Sequence, residues 1–186
     1  SLHALDVDLS DGAAVDFASR KSKTMTGHSF NEDRIQGAIQ LAKRYECDLD
    51  HNLFVLEMAR EMFKAVAKPF SLNNKDLQVL ELACIMHNCG RFVDIANRDE
   101  CSYMIIKGSD FVNLSDVNRV LVANVLRYKN KAFPYAKELN EPLLNSDFYV
   151  IMARVSALFR LADALDECHL QKLSDVKAMI KDDEFI

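Results

Sequence analysis

Residues 77–91 read LQVLELACIMHNCGR, and this apolar stretch organises the fold that the rest of the chain can adopt. Its apolar residues recur at the spacing of one helix face, and His87, three residues after Cys84, falls on that face. We therefore predict a buried helix that ends at His87-Asn88, with Gly90 as a left-handed terminator. A histidine with a short polar neighbour at the end of a buried helix is an uncommon choice for a core.

The composition is that of a globular domain with its own core. The chain has 186 residues, of which 49% are hydrophobic and 27% are charged. The formal net charge of −5 gives no reason to expect binding to DNA or to an anionic membrane surface. No apolar run reaches the ~18 residues of a membrane span, and no signal peptide is recognisable. These features predict a cytoplasmic protein without a membrane segment.

The five cysteines are an odd number and form no CxxC pair, which argues against a zinc ribbon. We interpret them as free thiols in a reducing compartment, with Cys89 and Cys101 as packing residues rather than metal ligands.

Capping residues and helical periodicity predict an all-α chain in three parts. Residues 1–28 are interpreted as a linker with a short helix, and residues 29–170 as one helical bundle. Residues 171–186 break the helical period, so we expect a short β-hairpin to begin there. The sequence starts without Met and stops in mid-pattern, which suggests a piece of a larger protein.

The expected helices are bounded by capping residues, glycine and proline. They run from Ser29 to about Tyr45, from Asp48 or Asp50 to about Lys68, from Asn73 or Asn74 to Asn88, from Ser102 to Lys107, from Ser115 to Tyr128, and from about Asp147 to His169.

Four polar residues on three of these helices stand in apolar surroundings: His51, His87, Asn88 and Asp163. Imidazoles and carboxylates together can bind a divalent metal ion, and such an ion can activate water against a phosphate ester. Each residue also has a simpler interpretation. His87 can be a core histidine bonded to a backbone carbonyl, Asn88 can be a helix terminator, and Asp163 can belong with Asp166 to a solvated acidic face.

The order and context of these residues resemble the HD domain of metal-dependent phosphohydrolases. His51, followed at helical spacing by Val55 and Ala59, looks like the helix that carries the first histidine of that family. Residues 87–91, HNCGR, look like its His-Asp-x-Gly-Lys segment, and residues 161–166, LADALD, look like its final aspartate helix.

A closer resemblance is to the exopolyphosphatase and guanosine pentaphosphate phosphohydrolase family. It is carried by residues 100–106, ECSYMII, by residues 122–128, VANVLRY, and by residues 7–12, VDLSDG. The resemblance implies an HD-like helical domain that follows two actin-like domains in a hydrolase. It further implies that those domains perform the catalysis with a divalent cation, typically magnesium, on polyphosphate or a phosphorylated guanosine nucleotide.

Two departures from the HD pattern put a working metal site in doubt. Asn88 offers a neutral carbonyl where HD enzymes have a carboxylate, and this weakens the attraction for a divalent ion. Where broader HD relatives supply further histidines, this chain has Cys101 and Lys129, and a lysine repels a cation but attracts phosphate. The set His51, His87, Asn88 and Asp163 is therefore interpreted as a vestigial metal site without catalytic residues.

The sequence leaves three functions open. The first is a helical domain that holds polyphosphate for the actin-like domains of its parent chain. The second is a self-standing HD phosphohydrolase. The third is a non-catalytic interaction module through which two copies of the chain could form a homodimer. For the first function the candidate polyanion-binding residues, which can equally be scattered surface charges, are Arg91, Arg127, Lys129, Lys131 and Arg160.

Overall fold

The structure is a computed structural model that describes residues 27–111, 114–139, 141–173, 178, 180–181 and 184–185. Within these residues the chain forms α1 (Gly27–Arg44), α2 (Leu49–Val66), α3 (Asn74–Met86), α4 (Arg98–Lys107), α5 (Asp116–Arg127) and α6 (Ser146–Ala164). Short 3-10 turns occupy Cys89–Phe92 and Ala136–Glu138. The all-α class predicted from the sequence is confirmed. Except for Gly27 and His28, the predicted linker lies outside the described residues, as does the 7–12 segment.

Two strands of two residues each lie at the end of the described chain. Strand β1 (Ile180–Lys181) pairs antiparallel with β2 (Glu184–Phe185), so that Ile180 lies opposite Phe185. The antiparallel pairing expected of a hairpin within residues 171–186 is therefore present. No helix in the described ranges combines the length and apolar character that crossing a membrane requires.

Side-chain caps fix where four of the helices begin, with Asn145 as the cap of α6. The Asp48 carboxylate accepts a hydrogen bond from the backbone N–H of His51, 3.2 Å away, at the start of α2. Asn73 forms a reciprocal capping box with Asp76 at the start of α3. Ser115 caps α5 through the backbone of its first turn. Where the sequence left two residues open as the cap, Asp48 or Asp50 and Asn73 or Asn74, the first of each pair is used.

Two predicted helix starts are wrong. Helix α1 begins at Gly27, so Ser29 lies inside the helix rather than at its cap. Helix α4 begins at Arg98, a full turn before the predicted Ser102. The two acidic residues that follow Arg98 explain the earlier start, because negative charge in the first turn is stabilised by the helix dipole.

Helix α6 is shorter than predicted and ends at Ala164 instead of His169. The chain turns there because the carboxylate of Asp166 accepts hydrogen bonds from the backbone N–H groups of Leu170 and Gln171, at 2.9 and 2.8 Å. This turn holds His169 and Gln171 at left-handed φ values of 52° and 44°. Asp166 therefore faces back towards the bundle instead of continuing the helix.

Helix α3 is the centre of the bundle and packs against α1, α2, α5 and α6. Every residue from Val79 to Met86 is buried, so the helix is enclosed on all sides, as expected for a central helix. The predicted stripe of α2 is also buried, and it consists of His51, Val55, Met58, Met62 and Val66. Because α3 is central, the residues at its carboxyl end lie between several helices.

Gly90 has a different role from the one predicted. It lies in a 3-10 turn, and no glycine in the described part of the chain has a positive φ, so it is not a left-handed terminator. A Cβ atom at Gly90 would lie 2.0 Å from the carbonyl oxygen of Arg98 and 2.5 Å from the backbone nitrogen of Ser102. The glycine is needed because the turn after α3 packs directly on the backbone of α4. Asn88, with φ −108°, is not left-handed either.

We predict that Gly90→Ala lowers the free energy of unfolding by about 3 kcal/mol, because the backbone of α4 lies too close for the added methyl group to be accommodated. Denaturant unfolding followed by circular dichroism measures the change. The matched control is Gly37→Ala in α1, where a Cβ atom would have nothing within 4 Å. That substitution should raise stability by about 0.5–1 kcal/mol. Equal effects of the two substitutions would contradict the close approach at Gly90.

Candidate functional site

Three polar side chains from three helices meet at one buried place. His51 lies in the first turn of α2, His87 follows the last residue of α3, and Asp163 lies in the last turn of α6. One ligand atom from each of them lies within 4.8 Å of the other two. The Nε2 atoms of both histidines are 3.3 Å from Oδ1 of Asp163. We call these three residues the His-His-Asp cluster.

The ring of His51 is held from three sides. Its Nδ1 atom is 2.9 Å from Oδ2 of Asp166, and its Nε2 atom is directed at Asp163. The ring of His169 stacks on it with 3.6 Å between ring centroids, and His169 is itself held by Asp48 at 2.8 Å. His51 is consequently only 1% exposed. The turn after α6 covers the cluster and fixes which nitrogen of His51 faces Asp163.

Asp166 remains ionised to low pH. Burial opposes its charge, but hydrogen bonds from His51, from the side chain and backbone of Gln171 and from the backbone of Leu170 lower its pKa to about 2. A charged Asp166 favours the proton on Nδ1 of His51. Pairs of this kind orient histidine ligands in metal sites.

His87 is neutral in the folded protein. Its Nδ1 atom lies 2.7 Å from the carbonyl oxygen of Cys84 and donates to it, so the Nε2 atom carries a lone pair. Burial, and secondly the charge of Lys129, lower its pKa to about 3. The Nε2 atom is buried without a hydrogen-bond partner, and it faces the Asp163 carboxylate. The carbonyl bond that the sequence offered as the simpler interpretation is present, but it leaves this second nitrogen unsatisfied.

Lys129, which follows the end of α5, enters the cluster. Its Nζ atom is 3.1 Å from both carboxylate oxygens of Asp163, and its side chain is 12% exposed. Burial lowers the pKa of the lysine, against the opposing charge of Asp163. Burial would raise the pKa of Asp163, but its charged and hydrogen-bonding neighbours, Lys129 among them, hold it below the ordinary value. The two groups therefore form a partly buried ion pair.

The cluster matches a divalent ion in geometry but not in charge. Ligand atoms around a tetrahedral ion at ~2.05 Å lie about 3.3 Å apart. Each histidine Nε2 lies at this distance from Oδ1 of Asp163, and all three ligand atoms lie within 4.8 Å of one another. The carboxylate is already paired with an ammonium, however, and Asn88 brings no negative charge. In the described part of the chain the side chain of Asn88 makes no hydrogen bond. A divalent ion beside Lys129 would meet like charge, so these residues as they stand do not fit one.

Residues 34–184 match the family model for Ppx/GppA phosphatase, domain III. The chain belongs to this family. The match covers most of the sequence and confirms the resemblance that the spaced motifs carried. This chain is thus a phosphatase-family helical domain, and the His-His-Asp cluster lies inside the part of it that matches.

The five basic residues predicted to bind polyanions in this Ppx/GppA domain differ in their surroundings. Arg127 is paired with Glu100 at 2.9 Å and lies over the ring of Tyr103, 4.5 Å from its centroid. Lys129 is bound to Asp163. The remaining three are exposed, and they are Arg91, Lys131 and Arg160. The structure therefore does not present the five as one set of available charges.

Sequence reasoning missed part of the site. Asp166 is 5% exposed, so the interpretation of it as a solvated acidic residue is wrong. In the sequence, Asp166 lies three residues from both Asp163 and His169. This spacing could have indicated that the three side chains lie close together. Cys89 is buried as predicted for a packing residue, and Cys101 is partly buried.

Replacing the Asp166 carboxylate should change how stability depends on pH. A carboxyl group whose pKa is lower in the folded than in the unfolded state contributes stability above pH ~4, and this is lost as the pH falls towards 2. We therefore expect wild-type stability to fall between pH 4 and 2 more steeply than that of Asp166→Asn. Thermal unfolding across this range measures the difference, and Glu167→Gln, an exposed neighbour, is the control. Parallel curves for wild type and Asp166→Asn would contradict the role of Asp166.

Proposed function

We propose that this chain is the domain with which a Ppx/GppA phosphatase binds and orients polyphosphate, or a phosphorylated guanosine nucleotide, for hydrolysis by actin-like domains of the same protein. Its membership of the Ppx/GppA family supports the proposal that it works within a phosphatase. The observation that carries the binding role is a group of exposed basic side chains at the amino end of α4. In this proposal magnesium acts in the actin-like domains, since Lys129 already neutralises the carboxylate of the His-His-Asp cluster.

The basic group is assembled by contacts between separate segments. The close approach of Gly90 to the backbone of Arg98 brings Arg91 beside the start of α4. Lys131 and Arg98 line one cleft of about 330 Å³. We call Arg91, Arg98 and Lys131 the α4 basic group. Arg98 was not among the residues that the sequence suggested.

The amino end of α4 adds a further attraction for anions. Asn97 precedes the helix but makes no side-chain hydrogen bond to its first turn, so the first N–H groups have no side-chain cap. Such groups favour a phosphate oxygen. Asp99 and Glu100 line the same cleft, and both oppose an anion. Arg127 is bound to Glu100 at 2.9 Å and offsets its charge, and Arg98 lies 4.0 Å from Asp99, so part of the charge of Arg98 is shared with that carboxylate. Arg127 therefore favours anion binding indirectly, because it neutralises Glu100.

A self-standing HD phosphohydrolase is less well supported by the same geometry. That reaction needs an ion that activates water, and the only carboxylate of the described cluster is occupied by Lys129. The neutral Asn88 does not replace it.

We predict that the chain binds polyphosphate with an affinity that decreases as salt increases. By analogy with single-stranded nucleic acid, each neutralised phosphate contributes about 0.7 to the slope of log K against log salt. The variant Arg98→Gln/Lys131→Gln should therefore lower this slope by about 1.4. Isothermal titration calorimetry at several salt concentrations measures both values.

The control for this experiment is Lys68→Gln/Lys75→Gln, which removes the same charge from exposed lysines of the α2–α3 region. Its slope should equal that of the wild type. Absence of binding at low salt, or equal losses in the two double variants, would refute a specific role for the α4 basic group.

A second candidate function is a protein contact, and one apolar groove favours it. The groove, of about 280 Å³, lies between the end of α2 and α6, and Phe70 and Leu161 remain 45% and 41% exposed beside it. If it joins two copies of this chain, Leu161→Glu should convert dimers to monomers in sedimentation equilibrium. Leu143→Glu, at an exposed leucine of the loop before α6, should leave the mass unchanged. A monomeric wild-type chain would refute this function.

A further inference from the structure

We propose that the ammonium of Lys129 is the resident cation of the His-His-Asp cluster. In this arrangement it excludes divalent ions, and its removal turns the cluster into a site for a borderline transition-metal ion. The inference does not depend on the proposed binding of polyphosphate.

The position of the ammonium supports this inference. Nζ of Lys129 lies 3.1 Å from each of the two oxygens of Asp163, which is where a cation shared by both would lie. Without it, the carboxylate would lie 3.3 Å from the lone pair of His87 Nε2 and would lose the cation that now contacts both of its oxygens. Such a buried, uncompensated carboxylate is costly. The lysine ammonium is a compact positive charge, and it neutralises the Asp163 carboxylate as a metal ion otherwise would.

The hydrogen-bond partners of the two imidazoles are those of metal-binding histidines, although the ammonium of Lys129 occupies the cluster. Nδ1 of His51 is bonded to the Asp166 carboxylate, and Nδ1 of His87 to the Cys84 carbonyl. Carboxylate and carbonyl partners at Nδ1 orient metal-binding histidines and direct Nε2 at the ion. A pair of imidazoles with one carboxylate favours zinc, cobalt or nickel over magnesium or calcium, which prefer oxygen ligands.

This inference separates two substitutions that each make the net charge near the cluster more negative by one unit. Asn88→Asp restores the HD pattern of the sequence but leaves the ammonium on Asp163. Lys129→Met removes the ammonium and keeps an unbranched apolar side chain next to Phe159, whose ring centroid is 5.7 Å from Nζ. Only the second substitution frees the carboxylate, so it alone should create metal affinity.

The test uses Co²⁺, whose visible absorption reports tetrahedral coordination. Lys129→Met should bind one equivalent of Co²⁺ at least tenfold more tightly than wild type or Asn88→Asp, and Co²⁺ should raise its melting temperature. Lys75→Met, at an exposed lysine in the first turn of α3, should bind Co²⁺ no more tightly than wild type. Adding His87→Ala to Lys129→Met should abolish the absorption band. A folded Lys129→Met that binds no more Co²⁺ than wild type would overturn the inference, as would one equivalent of Co²⁺ bound to wild type through His87.

Lys129→Met is also expected to be less stable than wild type. If it folds only when Co²⁺ is present, that result supports the inference directly. If it does not fold under either condition, amine labelling of folded wild type with acetic anhydride, read by mass spectrometry, decides. Lys129 should react far more slowly than Lys131, and Asp163→Asn should remove that protection. Equal labelling of the two lysines in wild type would overturn the assignment of a resident cation.

Discussion

A single carboxylate joins most of the bundle. Asp163, at the end of α6, lies 3.3 Å from histidines that α2 and α3 supply and 3.1 Å from the lysine that follows α5. The ion pair with Lys129 is the contact whose loss would leave the carboxylate without a cation, whereas Nε2 of His87 has no hydrogen-bond partner even in this arrangement. One side chain therefore lies where four helices meet. An apolar core alone tolerates small shifts between helices, whereas this arrangement does not.

The balance of charge around Asp163 also limits the chemistry of the domain. A phosphohydrolase of the HD type needs an anionic pocket that a metal ion neutralises, and here a lysine of the chain itself provides the neutralising charge. The cluster lies inside the part of the chain that matches Ppx/GppA domain III, and its carboxylate is paired with this lysine. Any role in binding phosphate is left to exposed basic residues, and the α4 basic group is the set that the fold brings together.

Particular residues show which features followed from the sequence. Asp48, Asn73 and Ser115 were predicted as caps because capping depends on residues within one helical turn. The buried stripe of α2 followed from its spacing for the same local reason. The start of α4 and the end of α6 were predicted less well. In α6 the reason is visible, because Asp166 turns the chain by bonding to residues beyond the helix and to His51 on another one.

By itself, the sequence determined the all-α class, the central helix and the family, since periodicity, caps and spaced motifs are properties of neighbouring residues. It also singled out His51, His87 and Asp163, because polar residues at apolar helix positions are conspicuous. Only the tertiary structure decided that Lys129 binds Asp163 and that Gly90 is required by the backbone of α4. Both depend on distances between elements remote in the chain, and local patterns carry no information about such distances.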